Sequence, residues 1–243
     1  APGAHDVTTG WLNRYLATQS VNGAFAGVSI GSGKALTLTG TADTISFVSL
    51  DNFQPGEFLT TERISAWSAL FDAWPDQRLS QASDEMLAAA AVVGSVSRAT
   101  SVTYPDTEFA RSLRDVAALI KSSVGVRALT VDLNGFDHHT NANAQMPAVA
   151  GTLASALAAF QQDLGSHASR TLTLVMTEFG RTAAENGGGG ADHGHGSVMF
   201  ALGGGVHGGR VLTRNGQWPG LAPENLFENR DLAVTTDFRD VFA

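Results

Sequence analysis

The chain has 243 residues, 43% of them hydrophobic, enough to bury a sizeable core in one large domain or two small ones. A formal net charge of −8 argues against a nucleic-acid partner, which would normally meet a basic face. With no cysteine, disulfides, zinc-thiolate sites and cysteine nucleophiles are excluded.

The first predicted element is a helix over Gly10 to Thr18, where Trp11, Leu12, Tyr15 and Leu16 recur at helical spacing. Ala24 to Leu50 is rich in Gly, Ser, Thr and Val, with alternation such as Ala35-Leu-Thr-Leu-Thr39, and reads as strand and loop. Ile64, Trp67, Leu70 and Phe71 make one face of a helix from Glu62 to Phe71, ended by Pro75. A second such helix runs from about Asp84 to Val93. Its apolar stretch is too short to span a bilayer and begins beside Asp84 and Glu85. Pro105-Asp-Thr107 opens another helix, with Phe109, Leu113, Val116, Ala117 and Ile120 on one side.

Arg127-Ala-Leu-Thr-Val-Asp-Leu133 is apolar and β-branched, bounded by Gly125 and Asn134-Gly135, and reads as a buried strand. A helix follows, carrying Leu153, Ala156, Leu157, Phe160 and Leu164, with Gly165 as its C-cap. Thr171-Leu-Thr-Leu-Val-Met176 is the next strand. Strand, helix, strand predicts a βαβ unit, hence an α/β fold with a parallel sheet. A further apolar run, Val198 to Leu202, enters Gly203-Gly-Gly205; the low-complexity segment is Gly187 to Gly190. No signal peptide opens the chain. Thr236-Asp237 reads as a helix N-cap close to Ala243, so a trimmed domain is expected.

Ligands of open parallel sheets sit beyond the carboxyl ends of the strands. Asn134-Gly-Phe-Asp-His-His139 and Thr177-Glu-Phe-Gly-Arg181 follow two such ends, which puts Asp137, His139 and Glu178 on one rim. Gly190-Ala-Asp-His-Gly-His195 follows a glycine run flexible enough to fold back over it, adding Asp192, His193 and His195. Mixed carboxylate and imidazole donors suit zinc, manganese or iron, as one ion or as two. Arg181 would neutralise an anionic substrate through its planar fork. Each segment alone has a plainer reading: a polar His-His loop, a Glu178–Arg181 pair, a hydrogen-bonded Asp192-His193 turn. Their coincidence on one rim favours a metal or catalytic site.

Gly203-Gly-Gly-Val-His-Gly-Gly209 lacks the Lys-Ser/Thr pair of a P-loop, and reads as a turn with His207 exposed. No Gly-x-Ser-x-Gly elbow supports a hydrolase triad. Asp132 reads as a structural hydrogen-bonding residue inside its strand, and the tryptophans as core or interface.

Taken together, Asn134–His139, Thr177-Glu-Phe-Gly-Arg-Thr182, Gly190–His195, Gly203–Gly209, Thr235-Thr-Asp-Phe-Arg239 and Gly10-Trp-Leu12 resemble the family called domain of unknown function 1501. These are exported bacterial proteins related to alkaline phosphatases and sulfatases. The resemblance implies a single alkaline-phosphatase-like domain over residues 1–243, a three-layer α/β/α fold with a mostly parallel sheet. Residues 1–100 would be more irregular and helical, and 101–243 would form the βαβ core. The domain is expected to be truncated at both ends, beginning after the family's glycine-rich, Asp-containing opening segment. Export to the periplasm or beyond is implied.

Residue by residue, Asp137 and His139 match the family's Asp-x-His, Glu178 its Thr-Glu-Phe-Gly-Arg acid, and Asp192 with His193 its Asp-His pair. His195 joins the metal candidates as a neighbour. The implied function is metal-dependent hydrolysis of phosphate or sulfate esters, with zinc or manganese and a small anionic ester. Its rival is a non-catalytic exported protein that keeps the fold for binding or assembly.

Overall fold

Helix α1 (Trp11–Thr18) begins without a side-chain cap and is anchored by Asn13. That residue is 1% exposed. Its amide donates to the carbonyls of Leu38 (3.0 Å) and Ala42 (2.9 Å) and accepts the Ala42 N–H (3.0 Å). A buried amide so completely paired fixes α1 on the loop that follows the first strand. The structure is a computed structural model that describes residues 8–19, 23–51, 60–213 and 216–242.

Strands β1 (Gly27–Ile30), β2 (Thr44–Phe47) and β3 (Ala128–Val131) form a parallel sheet in the order β2-β1-β3. β1 is buried at every position, as a central parallel strand should be. Leu16, Ala26, Leu38 and Ala128 pack together beside it. The alternation at Ala35–Thr39 does not make a strand. Leu36–Leu38 is a 3-10 turn that buries Leu38 and leaves Leu36 exposed, because each apolar side chain here answers to a turn rather than a pleat.

Helix α2 (Thr61–Asp72) is capped by the Thr60 hydroxyl and ends just before Pro75. Helix α3 (Gln77–Ser95) starts earlier than expected. Asp76 accepts the Arg78 N–H as its cap, and the polar first turns hide the start from an apolar pattern. Trp67 on α2 donates to Ser83 on α3 at 2.7 Å.

Helix α4 (Glu108–Lys121) follows its predicted face closely. Thr107 caps it, and Phe109, Leu113, Val116 and Ala117 are buried while Ile120 is half-buried. Asp115 on the same helix is also buried and accepts the Leu50 N–H at 2.9 Å; burial pushes its carboxyl above the ordinary range.

Helix α5 (Ala142–Leu164) carries Pro147 inside it, one turn past its start, where the ring leaves the carbonyl four residues earlier without its helical N–H partner. Beyond it come β4 (Leu172–Val175), β5 (Gly180–Arg181), β6 (His193–Gly194) and β7 (Phe200–Gly203). The expected parallel pairing of β3 with β4 is not found. β3 pairs with β1, and β4 pairs antiparallel with β7, Val175 opposite Phe200. The apolar run after residue 197 supplies β4 with a partner that the strand-helix-strand pattern did not anticipate.

The chain divides into two compact units: Ala1–Leu133 with Ser155–Leu164, and Asn134–Ala154 with Gly165–Ala243. Among the described residues the chain is mixed α/β, with a parallel three-stranded sheet and five α-helices. Among the described residues, no helix is long and apolar enough to cross a membrane. Asp132 lies just past β3 and is exposed, not held inside the strand.

Candidate metal centre

The second unit brings two loops together. The first, residues 134–141, leaves the carboxyl end of β3 through Gly135, whose φ of +104° needs glycine. The second, residues 186–192, carries the glycine run. Backbone hydrogen bonds stitch them: Asn141 N–H to Gly188 O (3.1 Å), Ala142 N–H to Gly189 O (2.8 Å) and Ala191 N–H to His138 O (3.1 Å). At Gly190 the backbones approach so closely that a Cβ would lie 2.3 Å from the His139 carbonyl carbon. β5 and β6 then pair antiparallel with Arg181 directly opposite His193. Directly opposed residues of such a pair present their side chains to the same face.

Three ligand atoms converge as a result. Oδ1 of Asp137 lies 2.9 Å from Nε2 of His193 and 3.1 Å from Nε2 of His139, and the two Nε2 atoms are 3.2 Å apart. Three donors this close together would hold one divalent ion, with Asp137, His139 and His193 each supplying one ligand atom. Among the described residues this trio is the grouping of acids and histidines that could hold a metal ion. All three side chains are about half exposed, so solvent reaches them.

Nδ1 of His139 faces Oδ1 of Asp192 at 3.3 Å. A proton on that nitrogen would leave the Nε2 lone pair of His139 directed toward Asp137 and available to a metal ion. The hydrogen bond from His193 and the Arg181 guanidinium hold the Asp137 carboxyl below its ordinary range. The Asn186 amide and His139 do the same for Asp192. Both acids are therefore kept in the anionic form that suits a metal site.

The remaining predicted residues lie outside the trio. Asp192 stands behind His139 rather than with the trio. Glu178 is exposed after β4 and accepts from the Thr177 hydroxyl at 3.3 Å. His195 stacks on Phe227, ring centroids 4.3 Å apart. Arg181 donates to Ala191 O (2.7 Å), Phe136 O (3.0 Å) and Asp137 Oδ1 (2.5 Å), so its fork is engaged with this chain's own oxygens.

Two contributors carry no ligand signal in the sequence. Phe179 stacks on the His193 ring at 3.8 Å and lies under the Arg181 guanidinium. Asn186 bridges the two loops, and its position just before a glycine, a common turn signal, is the one clue to it. His138 between the ligands is buried, with Nε2 unpaired.

A family model described as "Protein of unknown function (DUF1501)" matches residues 1–243, the whole chain. Neither a curated protein nor a solved structure matches it.

Proposed function

The chain belongs to the DUF1501 family, and from its ligand geometry we propose that it is a metal-dependent hydrolase of phosphate or sulfate esters. The observation that carries the reading is the triangle of Asp137, His139 and His193, with edges of 2.9–3.2 Å. One carboxylate with two imidazoles suits zinc or manganese better than magnesium or calcium. Bound there, such an ion supplies Lewis-acid polarisation of a phosphoryl or sulfuryl oxygen.

The chain's own residues prepare the site. Asp192 accepts a hydrogen bond from the Nδ1–H of His139, which leaves the Nε2 lone pair to face the ion. Arg181 holds Asp137 in place and keeps its charge. Phe179 fixes the plane of the His193 ring. The exposed rim admits a small anionic ester from solvent. An alkaline-phosphatase-like α/β/α arrangement and export from the cytoplasm belong to the same proposal. The ligand loop following directly on a strand of the parallel sheet supports the first, and the family resemblance the second.

One observation favours a second reading, a non-catalytic binding or assembly protein. The guanidinium that would meet the anion is already engaged by three oxygens of the chain.

The test is elemental analysis and calorimetric titration with zinc and manganese, followed by aryl phosphate and aryl sulfate hydrolysis. Wild type should bind ion, and Asp137→Ala and His193→Ala should each lose binding by tenfold or more, about 1.4 kcal/mol. A wild-type protein that rejects both ions sinks the metal reading. Tight binding without turnover of either ester selects the second reading.

A further inference from the structure

Every hydrogen-bonding position of the Asn186 side chain is used, and it faces two different loops. Its Nδ2 donates to Asp192 Oδ1 at 2.9 Å and to His139 O at 3.0 Å. Its Oδ1 accepts from Gly188 N at 2.9 Å and Gly190 N at 3.1 Å. Its own N–H reaches Gly190 O at 2.8 Å, closing the glycine turn on itself. A primary amide offers two donors on one side and two acceptor lone pairs on the other. No carboxylate, hydroxyl or alkyl side chain of this length meets all four partners.

We propose that Asn186 is a positioning residue for the metal centre, acting on His139 through Asp192. The proposal rests on the metal reading above. Asp192 Oδ1 receives both the Asn186 amide and the Nδ1 side of His139. The amide thereby sets where that oxygen stands, and the oxygen sets which imidazole nitrogen carries the proton. Its second N–H holds the His139 main chain, so ring position and ring tautomer depend on one residue. Sequence distance does not matter here: residue 186 is 47 positions from His139 and six from Asp192.

Asn186→Asp is the discriminating variant. It keeps the oxygen that caps Gly188 and Gly190, so the turn can close, but replaces the donor with an oxygen facing Asp192. Zinc affinity of the full chain is measured by competition with a chromophoric chelator, and the His139 tautomer by imidazole nitrogen NMR of the zinc-free protein. Asn186→Asp and Asn186→Ala should both weaken zinc binding by roughly 10–100-fold, the usual cost of losing an outer partner of a metal ligand. His139 should lose its Nδ1–H form in both. Asn143→Ala, whose side chain makes one exposed contact with Glu185, should bind zinc as wild type does.

If Asn186→Asp binds zinc within about twofold of wild type and keeps the His139 tautomer, Asn186 only closes the turn and the proposal fails. If wild type itself rejects zinc, the metal reading fails by that result, while the tautomer measurement still decides whether Asn186 orients His139.

Discussion

Replacing Asp163 by alanine removes one acceptor on which three donors converge. Oδ1 takes the Lys121 ammonium at 2.7 Å and the Thr100 hydroxyl at 2.6 Å, and Oδ2 takes the Tyr104 hydroxyl at 3.1 Å. The Asp163 side chain is 5% exposed and that of Lys121 26%. Breaking a fully buried pair by removing one partner costs roughly 3–5 kcal/mol. Lys121 keeps a route to water, which lowers its share, while two hydroxyls lose a charged acceptor. We expect a loss of about 3 kcal/mol for Asp163→Ala, and about half that for Asp163→Asn, which keeps one acceptor oxygen.

Urea unfolding at neutral pH reads this as a lower midpoint with unchanged slope. The pH dependence supplies a second check. Burial pushes the Asp163 carboxyl up, but the bonds from Lys121, Thr100 and Tyr104 outweigh it and leave the group below its ordinary value. A depressed folded pKa means that the stabilisation is complete above the unfolded-chain value, about 3.9, and fades as pH falls through the folded one. The gap between wild type and Asp163→Asn should therefore close in acid. A gap below about 1 kcal/mol at neutral pH, or one that widens on acidification, refutes the network as a stabilising element.

Three further outcomes are expected. Asn13→Ala should cost about 2–3 kcal/mol in urea unfolding, because it strands two carbonyls and an N–H beside the first strand. Gly190→Ala places a Cβ 2.3 Å from backbone and should weaken zinc binding, while Gly187→Ala, with nothing within 4 Å, should not; equal effects would show that the loop approach does not matter. In a carbon-detected NMR titration, the Asp237 carboxyl should titrate at about 2, held down by its hydrogen bonds from Arg239. Arg239→Ala should move it up toward about 3.9, and a value unmoved by the substitution contradicts that cause.

Much of the chain is legible in its residues alone. Helix α4 announces itself through Phe109, Leu113, Val116 and Ala117, because helical burial repeats every three to four residues and needs no knowledge of the partner surface. The start of α3 is hidden because Asp76, Gln77 and Arg78 carry no apolar signal. The membership of the site is visible as residue types: Asp137, His139, Glu178, Asp192, His193 and His195 look equally suitable as ligands.

Only the tertiary structure separates them. Arg181 opposite His193 in the β5–β6 pairing, and the Asn186 turn that holds His139, bring three of the six into one triangle. The same pairing leaves Glu178 on Thr177 and His195 on Phe227. Composition and periodicity are local, so the sequence by itself determined the helical faces, the segments of β3, β4 and β7 and the supply of ligands, but neither the turn at Leu36–Leu38 nor the short strands β5 and β6. Which strand edges pair, β4 with β7 rather than with β3, and which side chains meet depend on hydrogen-bond register between segments far apart in the chain. A shift of one residue in that register would turn His193 away from Asp137 without changing a letter of the motif.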